Sequence, residues 1–107
     1  MAGKFVLKAS GDQSMFNLHA PNGQIVLTSE RYVSRSGALG GIESVKTNAA
    51  DDARFELSES GTRFNLKAAN GQVIGTSQVY ASESAAREGM QAVKRAAAGA
   101  TTDDQTN

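Results

Sequence analysis

His19 is the only histidine of the chain, so any acid–base or metal chemistry would centre on it. A general base needs an orienting partner, and zinc sites are built from clusters of histidine and cysteine. The sequence has no cysteine, and a similar second half of the chain carries Lys67 in the position of His19. We therefore expect His19 to be an exposed residue rather than a metal ligand or a base.

Two acidic pairs, Asp51-Asp52 and Asp103-Asp104, are the next candidates. Paired carboxylates perform acid–base catalysis when a cleft holds them. These pairs fall in predicted connecting or terminal segments, where solvated turn residues are the simpler interpretation. The glycines at positions 37–41 lack the lysine-serine ending of a phosphate loop, and no Gly-x-Ser-x-Gly motif occurs. The sequence predicts no enzyme, and neither a metal nor a cofactor.

The composition is that of one ordinary globular domain. The chain has 107 residues, of which 39% are apolar and 21% charged. Lysine plus arginine number 11, as do aspartate plus glutamate, and this balance gives no electrostatic footprint for nucleic acid or an anionic membrane. No apolar run approaches the roughly 20 residues of a membrane span or the roughly 7–15 of a secretory signal. We expect a cytoplasmic protein.

An internal repeat determines which elements position these residues. Shifting the sequence by 48 places residues 16–46 on residues 64–94, and 16 of the 31 aligned positions are identical. Upstream, Phe5 aligns with Phe55 at a shift of 50, so the two copies differ by two residues in a surface turn. The chain consists of two copies of one unit.

Each unit predicts three strands followed by a helix. Alternating apolar residues give strands at 4–9, 16–20 and 24–29, and again at 54–58, 64–68 and 72–77. The second and third strands are joined by Asn22-Gly23 or Asn70-Gly71, which is typical of a two-residue hairpin with positive φ at both positions. Helical spacing then follows Ser34 and Ser82, two residues suited to N-capping.

The repeats should share one core. A unit of three strands and a helix is too small to bury an adequate core alone, and the connection between the units is short. We assign repeat 1 to residues 3–52, repeat 2 to 53–98, and a polar C-terminal tail, expected to fray, to 99–107 within a single domain, 1–107. The predicted fold is α+β, with one pseudo-twofold antiparallel sheet, two helices on one face, and a monomeric chain.

The doubled motif carries a family resemblance. Phe-Asn-Leu-x-Ala-x-Asn-Gly-Gln, then Thr-Ser-x-x-Tyr-x-Ser, then a helix ending Val-Lys, occurs twice. It resembles the YegP-like family of small bacterial proteins, built on a domain of unknown function. The resemblance implies a further strand after each helix, exchanged between units. Residues 54–58 could serve as that strand for repeat 1, whereas the Thr-Thr-Asp-Asp of the tail is a poor strand for repeat 2. The family brings no activity or ligand.

Two features are candidates for a partner surface. If the helices cover one face of the sheet, the other face is open; most such faces are simply solvated. The tyrosines between third strand and helix could contact a ligand, although a half-buried packing role is the simpler interpretation. The residues of this surface are Asn17, His19, Asn65, Lys67, Tyr32 and Tyr80, with Lys8, Glu56, Val26 and Ile74 as further members of the open face.

These observations favour a non-enzymatic structural or binding module with an unidentified protein or ligand partner. The alternative is a weak RNA or DNA binder acting through Lys8, Arg63 and Lys67 beside the open face. Nucleic acid is the less favoured partner, because stacking modules need exposed aromatic rings and all four phenylalanines fall on the apolar side.

Overall fold

The computed structural model describes residues 2–106, which form two similar series of elements. Each series has three strands and a helix, and one further strand ends the chain. The elements are β1 (Lys4–Ser10), β2 (Gln13–His19), β3 (Ile25–Ser29), α1 (Arg35–Asn48), a 3₁₀ turn (Asp52–Arg54), β4 (Phe55–Leu57), β5 (Phe64–Lys67), β6 (Val73–Thr76), α2 (Glu83–Ala97) and β7 (Thr101–Gln105).

All seven strands belong to one sheet in the order β4-β5-β6-β3-β2-β1-β7. The two meanders meet at β3 and β6, where Thr28 pairs with Thr76, so a pseudo-twofold axis passes between these strands. All neighbouring pairs are antiparallel except β1 and β7, which are parallel. The predicted α+β sheet of two repeats is confirmed, with a parallel pair added at one edge.

The two repeats share one core. α1 contacts β1 and β2 of its own repeat and β5 and β6 of the other. At the axis, Leu27 lies against Gly75: a Cβ at Gly75 would lie 2.7 Å from Cγ of Leu27. The shared core predicted from the short connection therefore exists, and a glycine in one copy leaves room for a leucine of the other.

The helix starts follow the sequence, but the hairpin turns do not. The Ser34 hydroxyl accepts a hydrogen bond from the Gly37 amide at the start of α1, and Ser82 caps α2 in the same way. In the first hairpin Gly23 has a φ of 87°, while no residue other than glycine has positive φ in residues 2–106. The prediction of positive φ at both turn positions is wrong, because each loop has three residues: the amide of Gly23 or Gly71 donates to the carbonyl of Ala20 or Ala68, and such a turn followed by a glycine bulge needs positive φ at the glycine alone.

The prediction that Val26 and Ile74 face outward is wrong, because each lies in a β-bulge. Leu18 pairs with Leu27, but the next residue, His19, pairs with Ile25, so Val26 is an extra residue on β3. The same irregularity occurs around Ile74 on β6. A bulge re-aims the side chain of the extra residue. Val26 and Ile74 consequently lie in the core, 4% and 7% exposed.

The C-terminal tail is a strand rather than a frayed end. Residues 101–105 form β7, which runs parallel to β1 and so adds the end of repeat 2 to the edge of repeat 1. Ion pairs from Lys4 to Asp103 and from Arg35 to Asp104 hold a segment that its own sequence makes a poor strand. The reciprocal role expected for residues 54–58 is wrong, since β4 pairs with β5 of its own repeat.

Candidate functional site

The asparagines of the predicted partner surface belong to a polar row on the outer face of the sheet. The Thr28 hydroxyl donates to Oδ1 of Asn17 at 3.0 Å, and the Thr76 hydroxyl donates to Oδ1 of Asn65 at 3.1 Å. Strand register places the four residues side by side across β2, β3, β6 and β5. Asn17 is buried, which contradicts an open face at this point. The row joins strands of both repeats, which is a structural role.

His19 and Lys67 occupy equivalent positions in the two repeats but have different surroundings. His19 is half-buried, with Nδ1 3.2 Å from the carbonyl oxygen of Gly23 and Nε2 buried without a partner among residues 2–106. The expectation of an exposed His19 is wrong, since the side chain is partly buried at a shallow cavity that Lys4 and Thr101 also line. Nζ of Lys67 lies 2.9 Å from the carboxylate of Glu56. The structure does not bring these two residues together into one site.

Tyr32 and Tyr80 pack at corresponding corners. Each ring is stacked on a phenylalanine of the second strand of its repeat, Phe16 or Phe64, with ring centroids 6.2 Å apart. Each hydroxyl also covers a buried helix glycine, at which a Cβ would collide with the ring. Burial raises the pKa of Tyr32, and Glu30 adds to this effect. This geometry is the packing role that the sequence favours for both tyrosines.

The exposed edge of β4 was missed by sequence reasoning. β4 ends the sheet opposite β7. The Ser58 amide donates to the carbonyl of Arg63, the residue before β5, and hydrogen-bonding direction alternates along an antiparallel strand. The N–H and C=O of Leu57 consequently point away from β5. At the other edge, β7 covers the equivalent groups of β1.

A groove of about 810 Å³ lies beside this edge, between β4 and α2. Its apolar floor is formed by Phe55, Leu57 and Met90, and charged residues of α2 form its far wall. All three floor residues are only partly buried. By contrast Phe5 and Leu7, their counterparts on β1, are 0% exposed. We call this feature the edge groove.

Acidic residues predominate in the wall of the edge groove. Glu83 and Glu88 of α2 and Asp52 of the 3₁₀ turn line it, together with Arg87. Nε of Arg87 lies 3.0 Å from the Glu83 carboxylate. Nζ of Lys94 lies 3.2 Å from the Asp52 carboxylate. Three carboxylates against the two cations Arg87 and Lys94 still leave the groove with a net negative charge.

A sequence signal for the edge groove did exist. The connection between α1 and β4 is a 3₁₀ turn leading directly into β4. Such a connection leaves no chain to form an exchanged strand on the second repeat. Counting the residues available after each helix would therefore have identified the uncovered edge.

Residues 2–106 contain no group of three or more histidine, cysteine, aspartate or glutamate side chains placed to hold a metal ion. No helix of this part of the chain is long and apolar enough to cross a membrane.

Comparison with known proteins agrees with the repeated architecture. The family described as a domain of unknown function, DUF1508, matches twice, at residues 5–56 and 58–104. The chain belongs to the DUF1508 family. It carries the domain as a tandem repeat, as the sequence predicts, and the second match extends into β7.

Relatives of this DUF1508 protein include UPF0339 proteins of several bacteria. One from Bordetella pertussis is 64% identical over 56 residues, which cover 52% of this chain and 50% of the relative. Another from Pseudomonas aeruginosa is 57% identical over 58 residues, covering 53% of each. The chain thus matches about half the length of these curated relatives.

Solved structures match over nearly the whole chain. The solution structure of yegP from E. coli, described as a protein of unknown function, has a TM-score of 0.89 and 42% identity, covering 100% of this chain and 96% of that one. A UPF0339 protein from Shewanella oneidensis has a TM-score of 0.88 and 44% identity, covering 99% and 93%. The similarity therefore includes both repeats and the sheet that joins them.

Proposed function

We propose that this protein is a non-enzymatic binding module that takes up an extended segment of a partner protein at the β4 edge. The observation that carries the proposal is the difference between the two edges of one pseudo-symmetric sheet. β7 covers β1, whereas none of the strands in residues 2–106 covers β4. The proposal takes the protein as a cytoplasmic monomer.

Strand addition would use both parts of the site. The N–H and C=O of Leu57 supply main-chain hydrogen bonds, and the edge groove supplies selectivity for side chains. β4 has only three residues, a length that by itself discourages indiscriminate pairing. Binding must therefore also bury the partly exposed Phe55 and Met90, at about 25 cal/mol for each Å² removed from water.

The nucleic-acid alternative has less support from the contacts. Lys67 is already paired with Glu56, and Phe5, Phe16 and Phe64 are buried on the helix side rather than displayed for stacking. A gel-shift titration at two salt concentrations tests this alternative directly. An affinity that falls steeply with salt would favour nucleic acid, because phosphate contacts release counterions.

A selection from a displayed library of random extended peptides tests the proposed function. The variant that should block binding is Ser84→Trp, which places an indole in the edge groove from an exposed position of α2. Its matched control is Ser36→Trp, the equivalent exposed position of α1. Peptides selected on the wild-type protein should bind Ser84→Trp at least about tenfold more weakly, a difference of about 1.4 kcal/mol. They should bind Ser36→Trp with unchanged affinity.

The amide resonance of Leu57 provides a second measurement. Peptides that bind by strand addition should shift this resonance, since its N–H becomes a donor to the added strand. Selected peptides that bind both variants equally and leave the Leu57 amide unchanged would refute the proposal.

A further inference from the structure

The covered edge shows how a strand lies on this sheet. In the β1–β7 pair Leu7 is level with Asp104, so both side chains point to the helix side. Nε of Arg35, the first residue of α1, donates to the Asp104 carboxylate at 2.6 Å. On the other face, Nζ of Lys4 lies 4.0 Å from the Asp103 carboxylate.

Repeat 2 presents the same arrangement with one charge reversed. Phe55 and Leu57 stand where β1 has its two helix-facing apolar residues. Arg54 aligns with the outer-face lysine of β1, but it is the last residue of the 3₁₀ turn and lies 3.7 Å from the Asp51 carboxylate. At the first residue of the helix, however, α2 has Glu83 where α1 has Arg35. A strand on β4 in the β7 register would therefore meet a carboxylate on the helix side.

The rest of the groove wall has the same sign. Glu88 and Asp52 also line it, although Asp52 is already paired with Lys94 at 3.2 Å. The Glu83 carboxylate accepts from Arg87, and both of these side chains remain more than half exposed. A carboxylate has two oxygens and about four acceptor sites, so Glu83 can accept from a second cation. An acidic side chain at this point would instead face like charge.

We propose, on the basis of the function proposed above, that the occupant of the edge groove runs parallel to β4 and places a lysine or arginine opposite Glu83. This is the position at which β7 carries Asp104. The β7 strand of a second copy would bring Asp104 against Glu83, so the same reversal disfavours open-ended addition of copies to one another.

Two synthetic peptides test the charge directly. One has the sequence of residues 99–106, and the other carries Asp104→Lys in that sequence and keeps Asp103 to face Arg54. Each is titrated at low ionic strength into isotopically labelled wild-type protein and into Glu83→Arg. An exposed ion pair changes affinity only several-fold. Because the exchange removes repulsion and adds attraction, we expect the lysine peptide to bind wild-type protein about tenfold more tightly.

The charge-swapped protein provides the matched control. Glu83→Arg recreates the Arg35 arrangement at the second edge, so the native peptide should become the tighter ligand. If Glu83→Arg does not fold, Glu83→Gln serves instead and should reduce the preference for the lysine peptide several-fold. The amide of Leu57 should shift in both cases, whereas the amide of Leu7, its counterpart on β1, should not, because β7 already occupies that edge at a high effective concentration.

Each other outcome overturns a specific step. Equal binding of both peptides with a shifted Leu57 amide would refute the basic partner and leave the proposed function standing. A shift of the Leu7 amide, which would show that the peptide displaces β7, or self-association of the protein at the β4 edge, would refute the assigned occupant. Neither peptide binding at millimolar concentration would refute the β7-like register. In that case the proposed function itself would be refuted only if the library selection also failed.

Discussion

Replacing Gly41 by alanine tests the packing of the tyrosine corners. A Cβ at Gly41 would lie 2.6 Å from Cζ of Tyr32 and 3.0 Å from Cε2 of Phe16. Phe16 is 0% exposed, and the Tyr32 ring is stacked on it, so neither ring can move away freely. Alanine is ordinarily the better helix former. The two effects therefore oppose each other at this position.

The magnitudes indicate that the collision outweighs the helix preference. Glycine to alanine in a helix interior contributes about 1 kcal/mol of stability, whereas overpacking a filled core costs about 1–3 kcal/mol. Because the new Cβ would meet two rigid rings, one of them fully buried, we expect the overpacking cost of Gly41→Ala to lie in the upper part of that range. We expect the free energy of unfolding to fall by about 1–2 kcal/mol, with Tm falling by roughly 4–8 °C for each kcal/mol.

Gly40 supplies the matched control. A Cβ at this neighbouring position of α1 would meet no atom within 4 Å. Gly40→Ala should therefore raise the free energy of unfolding by up to about 1 kcal/mol. Chemical denaturation of both variants measures the difference in sign. If Gly41→Ala stabilises the protein as much as Gly40→Ala does, the tyrosine corner does not restrict the helix as described.

Three further predictions concern pH and the shared core. The Thr106 hydroxyl and the Arg35 guanidinium lower the pKa of Asp104 from 3.8 to about 2, so the free energy of unfolding should fall as pH drops from about 4 to about 2. Asp104→Asn should flatten this pH dependence of the free energy of unfolding. An unchanged slope in that variant would contradict the role given to Asp104. Burial raises the pKa of Tyr32, so stability should fall as pH rises above about 10, and Tyr32→Phe should show a shallower decline in denaturant unfolding. A fragment of residues 1–52 should be unfolded or dimeric by light scattering and circular dichroism, since it lacks half the core; a folded monomer would contradict the shared-core description.

The proposed site shows where sequence reasoning stops. Phe55 and Leu57 are recognisable as strand residues from their alternation, and the structure places them on a strand. Nothing in the alternation reveals that they are only partly buried, because that depends on whether another strand arrives beside them. Asn17 is a comparable case: it is a polar residue of the outer face, yet it is buried and accepts a hydrogen bond from Thr28 on the next strand.

Local chemistry fixes the parts of this protein that the sequence determined. The repeat follows from comparing the two halves of the sequence. The N-caps at Ser34 and Ser82, and the apolar faces of β1, β2, β4 and β5, follow from residue types at short spacing. Tertiary structure alone decided that β7 forms, since its pairing partner β1 and the cations that face its aspartates, Lys4 and Arg35, lie far from it along the chain. It also decided that one edge is covered and the other open. The physical reason is that ion pairs and strand pairing between distant residues exist only once the chain is folded, so no local pattern records them.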